Sequence, residues 1–231
     1  MTTSGTTTFD LDILALAEEA WEQASGGASE LRSGYDLRTT RRSINLLTIE
    51  WANRGLNYWT VEEASVPLIA ATGNYDLPTD TIDVLEAVIR QNNGIVATQT
   101  DLAISRISVS TYSSIPNKLT QGRPIQYWLD RQNTPQINVW QVPPDNTYTF
   151  VYWRMRRIQD AGTQGNMTMD MPFRFLPAFV AGLAFYLSKK LPEGAARMQD
   201  LQNEYERQFD LAMSTDHESA PLRFIPRSMY V

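Results

Sequence analysis

Residues 175–187 have the sequence FLPAFVAGLAFYL, the most apolar window of the chain. The window carries no charge and directly follows Arg174. A helix that crosses a bilayer needs about 20 apolar residues, so this shorter window is typical of a buried core helix. We expect a helix over residues 173–190, with Pro177 in its first turn, where a missing amide costs little.

A second C-terminal helix is predicted beyond Pro192, which interrupts the first. From about Glu193 to Met213, apolar residues recur at intervals of three and four, as they do along one face of a helix. This stripe consists of Met198, Leu201, Tyr205, Phe209 and Ala212.

Two more helices are predicted near the start of the chain. Asp10 or Asp12 can cap the first, and Ser25-Gly26-Gly27 ends it. Its apolar stripe consists of Ile13, Leu16, Ala17, Ala20, Trp21 and Ala24. The second runs from about residue 36 to residue 54, and Gly55 follows where a left-handed C-terminal cap belongs.

Between the two helix pairs the pattern changes to that of β-strands. Val, Ile, Tyr and Trp concentrate in short segments separated by turn residues such as Asn92-Asn93-Gly94. The predicted strands are 59–70, 82–90, 95–99, 125–131, 136–142 and 147–157. Residues 101–114 are predicted to form a short helix.

These elements predict an α+β fold. Each terminal helix pair has an apolar stripe to bury, and packing the pairs on each other would give a four-helix bundle. The strands would form an inserted, antiparallel, β-rich lobe. We therefore expect a discontinuous helical bundle domain of residues 9–57 and 172–213, a β-rich domain of residues 58–171, and an extended C-terminal tail of residues 214–231.

Charge and composition narrow the classes of function. The formal net charge of −6 argues against a general nucleic-acid binder, which needs an excess of Lys and Arg. The absence of cysteine excludes disulfides, thiolate zinc sites and a cysteine nucleophile. No apolar window has the length of a membrane span, and the N-terminus lacks the apolar stretch of a signal peptide, so we expect neither a secreted nor a membrane protein.

The sequence offers little for catalysis, and we predict no catalytic, cofactor-binding or metal-binding residue. The single histidine, His217, lies between Asp216 and Glu218 in a polar segment and is typical of a solvated residue. Asp76, Asp80 and Asp83 are interrupted by Pro78 and follow no known metal-binding spacing. A pair of carboxylates of the glycosidase type stays open, because any two acids can meet in a fold.

Arginine is unusually favoured over lysine. The chain has seventeen arginines and only three lysines, besides six tryptophans and ten tyrosines. Arginine, tryptophan and tyrosine are enriched at protein interfaces, although GC-rich coding would also raise the arginine count.

Two arginine clusters deserve interpretation. Arg38, Arg41 and Arg42 share one side of the second helix, and residues 154–157 contain three more arginines at the end of the last strand. Both clusters can be solvated faces or can meet an acidic partner. Nucleic-acid binding is a weaker alternative, because no aromatic side chains alternate with these arginines on a common strand to stack on bases. For the helical cluster we predict a subunit interface with the fourth helix of a neighbour. That interface would consist of Arg38, Arg41, Arg42, Glu204, Glu206 and Asp210.

The C-terminal tail is rich in large apolar residues but has no helical or strand period. A disordered tail is normally polar, and ordering a backbone costs about 1 to 2 kcal/mol per residue. The tail is therefore expected to find pockets, either on its own helical domain or on a partner protein.

Several stretches resemble the tail tubular protein A family, the head-to-tail adaptors of short-tailed phages. They are Arg41-Arg42-Ser43-Ile44-Asn45-Leu46-Leu47, Glu50-Trp51-Ala52-Asn53-Arg54-Gly55, Trp59-Thr60-Val61, Ile82-Asp83-Val84-Leu85-Glu86-Ala87-Val88, Ile115-Pro116-Asn117-Lys118, Gly122-Arg123-Pro124, Pro172-Phe173-Arg174-Phe175-Leu176-Pro177-Ala178 and Gly182-Leu183-Ala184. The resemblance covers most of residues 10–227, and its motifs are structural rather than catalytic.

The resemblance implies a virion protein of the portal vertex, assembled in the host cytoplasm. Twelve copies would form a ring with the portal protein on one side and the tail nozzle protein on the other, and DNA would pass through the lumen without sequence-specific binding. By analogy with the family, and from its apolar density, the tail would bind the portal. The predicted contacts are Leu222, Arg223, Phe224, Ile225, Met229 and Tyr230.

Two other functions stay open on sequence grounds. One is a tail-associated polysaccharide-degrading enzyme that uses a carboxylate pair. The other is a monomeric binding module.

Overall fold

A computed structural model describes residues 3–27, 34–56 and 58–216. The chain divides into two compact units: a helical unit, built from the residues up to Tyr58 and those from Asp160 onwards, and a β unit, Trp59–Gln159. Over the described residues the α-helices are α1 (Ile13–Ser25), α2 (Gly34–Arg54), α3 (Val109–Ser113), α4 (Leu176–Ser188) and α5 (Met198–Thr215). Short 3-10 helices cover Tyr58–Thr60, Phe173–Phe175 and Pro192–Arg197.

Helix α1 begins and ends where its sequence indicates. The Asp12 carboxylate accepts a hydrogen bond from the Ala15 amide at 2.8 Å and so caps the first turn. Gly26 adopts a left-handed conformation, with φ of 66°, and ends the helix. The side of α1 that carries Leu16, Ala17 and Ala20 is buried.

Helix α4 is the centre of the helical unit. Ten of its thirteen residues are buried, on all sides of the helix, and α1, α2 and α5 each pack on it. Gly182 permits the close approach, because a Cβ atom there would lie 2.7 Å from Tyr205 and 3.0 Å from Leu47.

The four-helix bundle predicted from sequence is therefore wrong. In such a bundle each helix contributes one stripe to a shared core, whereas here a fully apolar helix is itself the core and three amphipathic helices surround it. The α+β class is correct.

The β unit consists of two four-stranded sheets. The strands are β1 (Val61–Pro67), β2 (Asn74–Asp76), β3 (Thr81–Gln91), β4 (Thr100–Ala103), β5 (Ser105–Arg106), β6 (Gln126–Asp130), β7 (Gln136–Trp140) and β8 (Tyr148–Arg156). One sheet has the order β1-β8-β3-β4 and the other β2-β7-β6-β5. The described strand pairs are antiparallel except β5 with β6, which is parallel.

One core lies under both sheets of the β unit. Its buried residues include Val84, Ile89 and Phe150 from the first sheet, and Tyr127 and Ile137 from the second. The rings of Tyr127 and Phe150 meet edge to face, with centroids 5.2 Å apart.

Two local predictions for this unit differ from the structure. Residues 95–99 form a turn rather than a strand, because Asn92 and Gly94 both adopt positive φ and the chain folds back through hydrogen bonds among residues 92–99. Within 101–114 only Val109–Ser113 is helical, since the preceding residues pair as β4 and β5.

Among the described helices, none combines the length and the apolarity needed to cross a bilayer.

Candidate interaction surfaces

The arginines of α2 are not neutralised within the described parts of the chain. There, no carboxylate lies within 4.0 Å of Arg38, Arg41 or Arg42. Arg38 donates from Nε to the carbonyl of Gly34 at 3.1 Å, and Arg42 donates from Nη2 to the hydroxyl of Thr39 at 3.2 Å. The Nε of Arg41 is buried and finds no hydrogen-bond acceptor among these residues. The structure thus keeps three cations together on one helix.

A groove next to this cluster adds a fourth cation. The groove has a volume of about 580 Å³ and combines apolar and charged walls. Its lining consists of Trp21, Asp36, Thr39, Arg42, Leu46, Leu187, Lys190 and Leu191. Lys190 donates from Nζ to the hydroxyl of Ser43 at 2.7 Å. Burial, and to a lesser extent the positive charge of Arg42, lowers the pKa of Lys190.

Two of the three α5 acids predicted to meet this cluster in a neighbouring subunit pair with arginines of their own chain. Glu206 holds Arg54 with an oxygen–nitrogen distance of 2.7 Å, and Glu204 holds Arg207 at the same distance. The hydrogen bond from Arg207 keeps the pKa of Glu204 below its ordinary value. Asp210 is exposed. Within the described residues, no ion pair joins these acids to the arginines at 38, 41 and 42.

A polar junction beside α5 was not anticipated from the sequence. Glu50 accepts hydrogen bonds from the hydroxyls of Tyr186, at 2.6 Å, and Tyr205, at 3.0 Å. The indole of Trp51 donates to the Tyr205 hydroxyl at 3.1 Å. Burial and the Glu50 carboxylate raise the pKa of Tyr186 to about 12. The spacing of Glu50 and Arg54 along α2 could have indicated their pairing, but no local pattern indicates the tyrosines.

The second arginine cluster is used inside the β unit. Arg154 is buried and donates hydrogen bonds to Glu62 at 2.9 Å, to Asp80 at 2.6 Å and to the hydroxyl of Thr81 at 2.8 Å. Arg156 also donates to Glu62, at 3.3 Å. The hydrogen bond from Arg154 is the main cause of the lowered pKa of Asp80. Arg154 and Arg156 therefore tie neighbouring strands together, whereas Arg157 is exposed.

The three aspartates weighed as metal ligands, Asp76, Asp80 and Asp83, have other partners in the β unit. Asp80 is bonded to Arg154, and Asp83 pairs with Arg106 at 2.9 Å. Asp76 accepts a hydrogen bond from Gln136 at 2.6 Å. Within residues 3–27, 34–56 and 58–216, no three His, Cys, Asp or Glu side chains lie close enough together to hold a metal ion. His217 lies outside the described residues.

Large apolar side chains are exposed on both units. Val96 is fully exposed, and Phe9 and Phe173 are about three-quarters exposed. On α2, Leu46 and Ile49 continue the line of Arg38 and Arg42 and are also exposed. The predicted portal contacts at 222–225, 229 and 230 lie outside the described residues.

A family model described as SU10 adaptor protein matches residues 3–224. The chain belongs to this family. The SU10 adaptor family is a structural phage protein family rather than an enzyme family. Membership supports a phage adaptor role and implies a virion component at the portal vertex that interacts with portal and tail proteins. The match supports the predicted adaptor role without extending to the tail tubular protein A family or to short-tailed phages. No curated protein matches this adaptor.

Proposed function

We propose that copies of this adaptor form a closed ring between the portal protein and the tail nozzle protein and so complete the channel through which DNA leaves the head. The family match over residues 3–224 carries the proposal. The arginines of α2, which have no ion pair among the described residues, and the exposed aliphatic side chains on both units support it, because a ring subunit needs surfaces that other chains cover.

The charge of the chain suits a channel for DNA. Twelve copies at −6 each would carry about −72. An acidic lumen repels phosphate, so DNA would pass without long residence. A lumen lined by arginines would contradict this part of the proposal.

The portal side of the ring is assigned to the C-terminal tail, through Phe224, Ile225 and Tyr230. Deletion of residues 219–231 is expected to abolish attachment to portal while the helical unit stays folded, because the tail supplies the apolar anchors. Co-sedimentation with purified portal measures attachment, and far-UV circular dichroism reports folding. Deletion of residues 2–8 is the matched control and should leave attachment intact, whereas attachment that survives loss of 219–231 refutes the assignment.

Imaging of purified virions by electron cryo-microscopy tests the ring directly. The proposal expects this chain between portal and nozzle, with symmetry that gives the number of copies. A subunit that stays monomeric at all concentrations, even with portal present, would favour a monomeric binding module instead.

A further inference from the structure

The exposed side of α2 carries a stripe that changes character along the helix. Arg38, Arg42, Leu46 and Ile49 are spaced by four, four and three residues, so they line one side of the helix. Leu46 is 53% exposed and Ile49 41%, and the two arginines at the other end of the stripe also reach the surface. The stripe is basic at its N-terminal end and aliphatic at its C-terminal end, and we call it the α2 stripe.

Helix α1 carries the complementary pattern. Leu14, Glu18 and Glu22 are spaced by four residues and are all exposed. No basic side chain of the described residues lies within 4.0 Å of either carboxylate. We call this set the α1 stripe; it is aliphatic at its N-terminal end and acidic at its C-terminal end.

The two stripes match in spacing as well as in chemistry. Four residues of helix rise by about 6 Å, so the charged positions are equally separated on both helices. With the helices antiparallel, Glu22 would face Arg38, Glu18 would face Arg42, and Leu14 would face Leu46. A single register thus satisfies both ion pairs and one apolar contact.

We propose that the α2 stripe of one copy of this adaptor docks against the α1 stripe of a second copy. The inference rests on the proposed ring and names the helices through which neighbouring copies meet. Each copy carries both stripes, so the contact can repeat from one copy to the next.

Helix α1 fits the α2 stripe better than α5 does. Glu204 and Glu206 already hold Arg207 and Arg54 of their own chain, so an exchange of partners would gain little. Nucleic acid would account for the two arginines but leaves Leu46 and Ile49 in water.

Charge reversal of the full chain tests the contact. Arg38→Glu with Arg42→Glu makes both stripes acidic, and Glu18→Arg with Glu22→Arg makes both basic. Each double variant alone is expected to lose assembly on purified portal, as measured by mass photometry, because like charges then face each other. An equimolar mixture is expected to restore assembly, since each α1 stripe then finds an α2 stripe of opposite charge.

The mixture separates a contact between copies from one within a chain. A chain that carries all four reversals keeps opposite charges on its own two stripes. If this chain assembles while the mixture does not, the pairing lies inside one subunit and the inference is overturned. Double variants that assemble like the unmodified chain would also overturn the inference. Double variants that assemble but are no longer retained on DNA would overturn it too, because the α2 stripe would then be a nucleic-acid contact. Arg123→Glu with Arg131→Glu, two exposed arginines of the β unit, changes the net charge as much as the reversal of Arg38 and Arg42 and should assemble normally.

Assembly of the unmodified chain separates failure of the proposed ring from failure of the stripe contact. If it forms no oligomer on portal at any concentration, the proposed ring fails and the contact fails with it. If it assembles and the reversals have no effect, only the stripe contact is refuted.

Discussion

Gly182 shows how one residue sets the spacing of helices. In an exposed helix, alanine is about 1 kcal/mol more favourable than glycine, so intrinsic propensity alone would favour replacement. Here the ring of Tyr205 and the side chain of Leu47 occupy the space that a Cβ atom would need. Packing therefore outweighs propensity at this position.

We expect Gly182→Ala to lower the free energy of unfolding by about 1 to 3 kcal/mol, the usual cost of overpacking a core. The urea unfolding midpoint, followed by circular dichroism, measures the change. Gly34→Ala is the control, because a Cβ atom added there, at the start of α2, would meet nothing within 4 Å among the described residues; it should be neutral or slightly stabilising. A stabilised Gly182→Ala variant would contradict the close approach.

At the scale of elements, one arginine ties three parts of the first sheet. Arg154 lies on β8 and bonds Glu62 on β1, Thr81 on β3 and Asp80 just before β3. Its side chain is 8% exposed, whereas those of Glu62 and Asp80 are 43% and 44% exposed. Loss of the arginine would therefore leave carboxylates that water can still reach, which moderates the cost.

We expect Arg154→Met to destabilise the β unit by about 1 to 3 kcal/mol near neutral pH. Because the native pKa of Asp80 is lowered, its stabilising contribution is present above the ordinary carboxyl value of 3.8 and is lost as the pH falls through the lower native value. The difference between the two proteins should shrink from about pH 6 to about pH 2. Urea midpoints at both pH values measure it, and a constant difference would refute the role of Asp80.

The helices show the limit of pattern at this scale. The apolar stripes of α1 and α5 appear in the sequence and are buried as expected, apart from Met198 at the start of α5, which is exposed. The sequence also shows that 175–187 is apolar throughout, and a helix apolar on all sides belongs at the centre of a unit. Treating it as one of four equal helices produced the incorrect bundle.

At the scale of the molecule, each of the two units has its own core. The helical unit is built around α4, and the β unit has a core beneath two sheets. Proteins open in contiguous cooperative units, each with its own local free energy of opening.

We therefore expect substitutions in one unit to leave the other protected. Hydrogen exchange followed by mass spectrometry should show faster exchange within 59–159 for Arg154→Met, and within the helical unit for Gly182→Ala. The unaffected unit of each variant is the internal control. An equal loss of protection in both units of either variant would mean that they unfold as one.

Much of the candidate surface was also visible in the sequence. The clustering of Arg38, Arg41 and Arg42 follows from helical spacing, and the structure keeps these arginines free of ion pairs with the described acids. The expectation for 154–157 was less informative, because Arg154 finds Glu62 and Asp80, which lie 92 and 74 positions away in the chain. Nothing in a strand pattern indicates so distant a partner.

The sequence alone determined the long helices, most strands and the α+β class, because periodicity and capping depend on residues a few positions apart. Only the three-dimensional fold places α4 at the centre of the helical unit and pairs β5 in parallel with β6. It also brings Glu206 to Arg54, which lies 152 positions away in the chain. These choices depend on which surfaces meet and on the free energy of burying them together. Contacts between distant residues set that free energy, and no contiguous segment contains them.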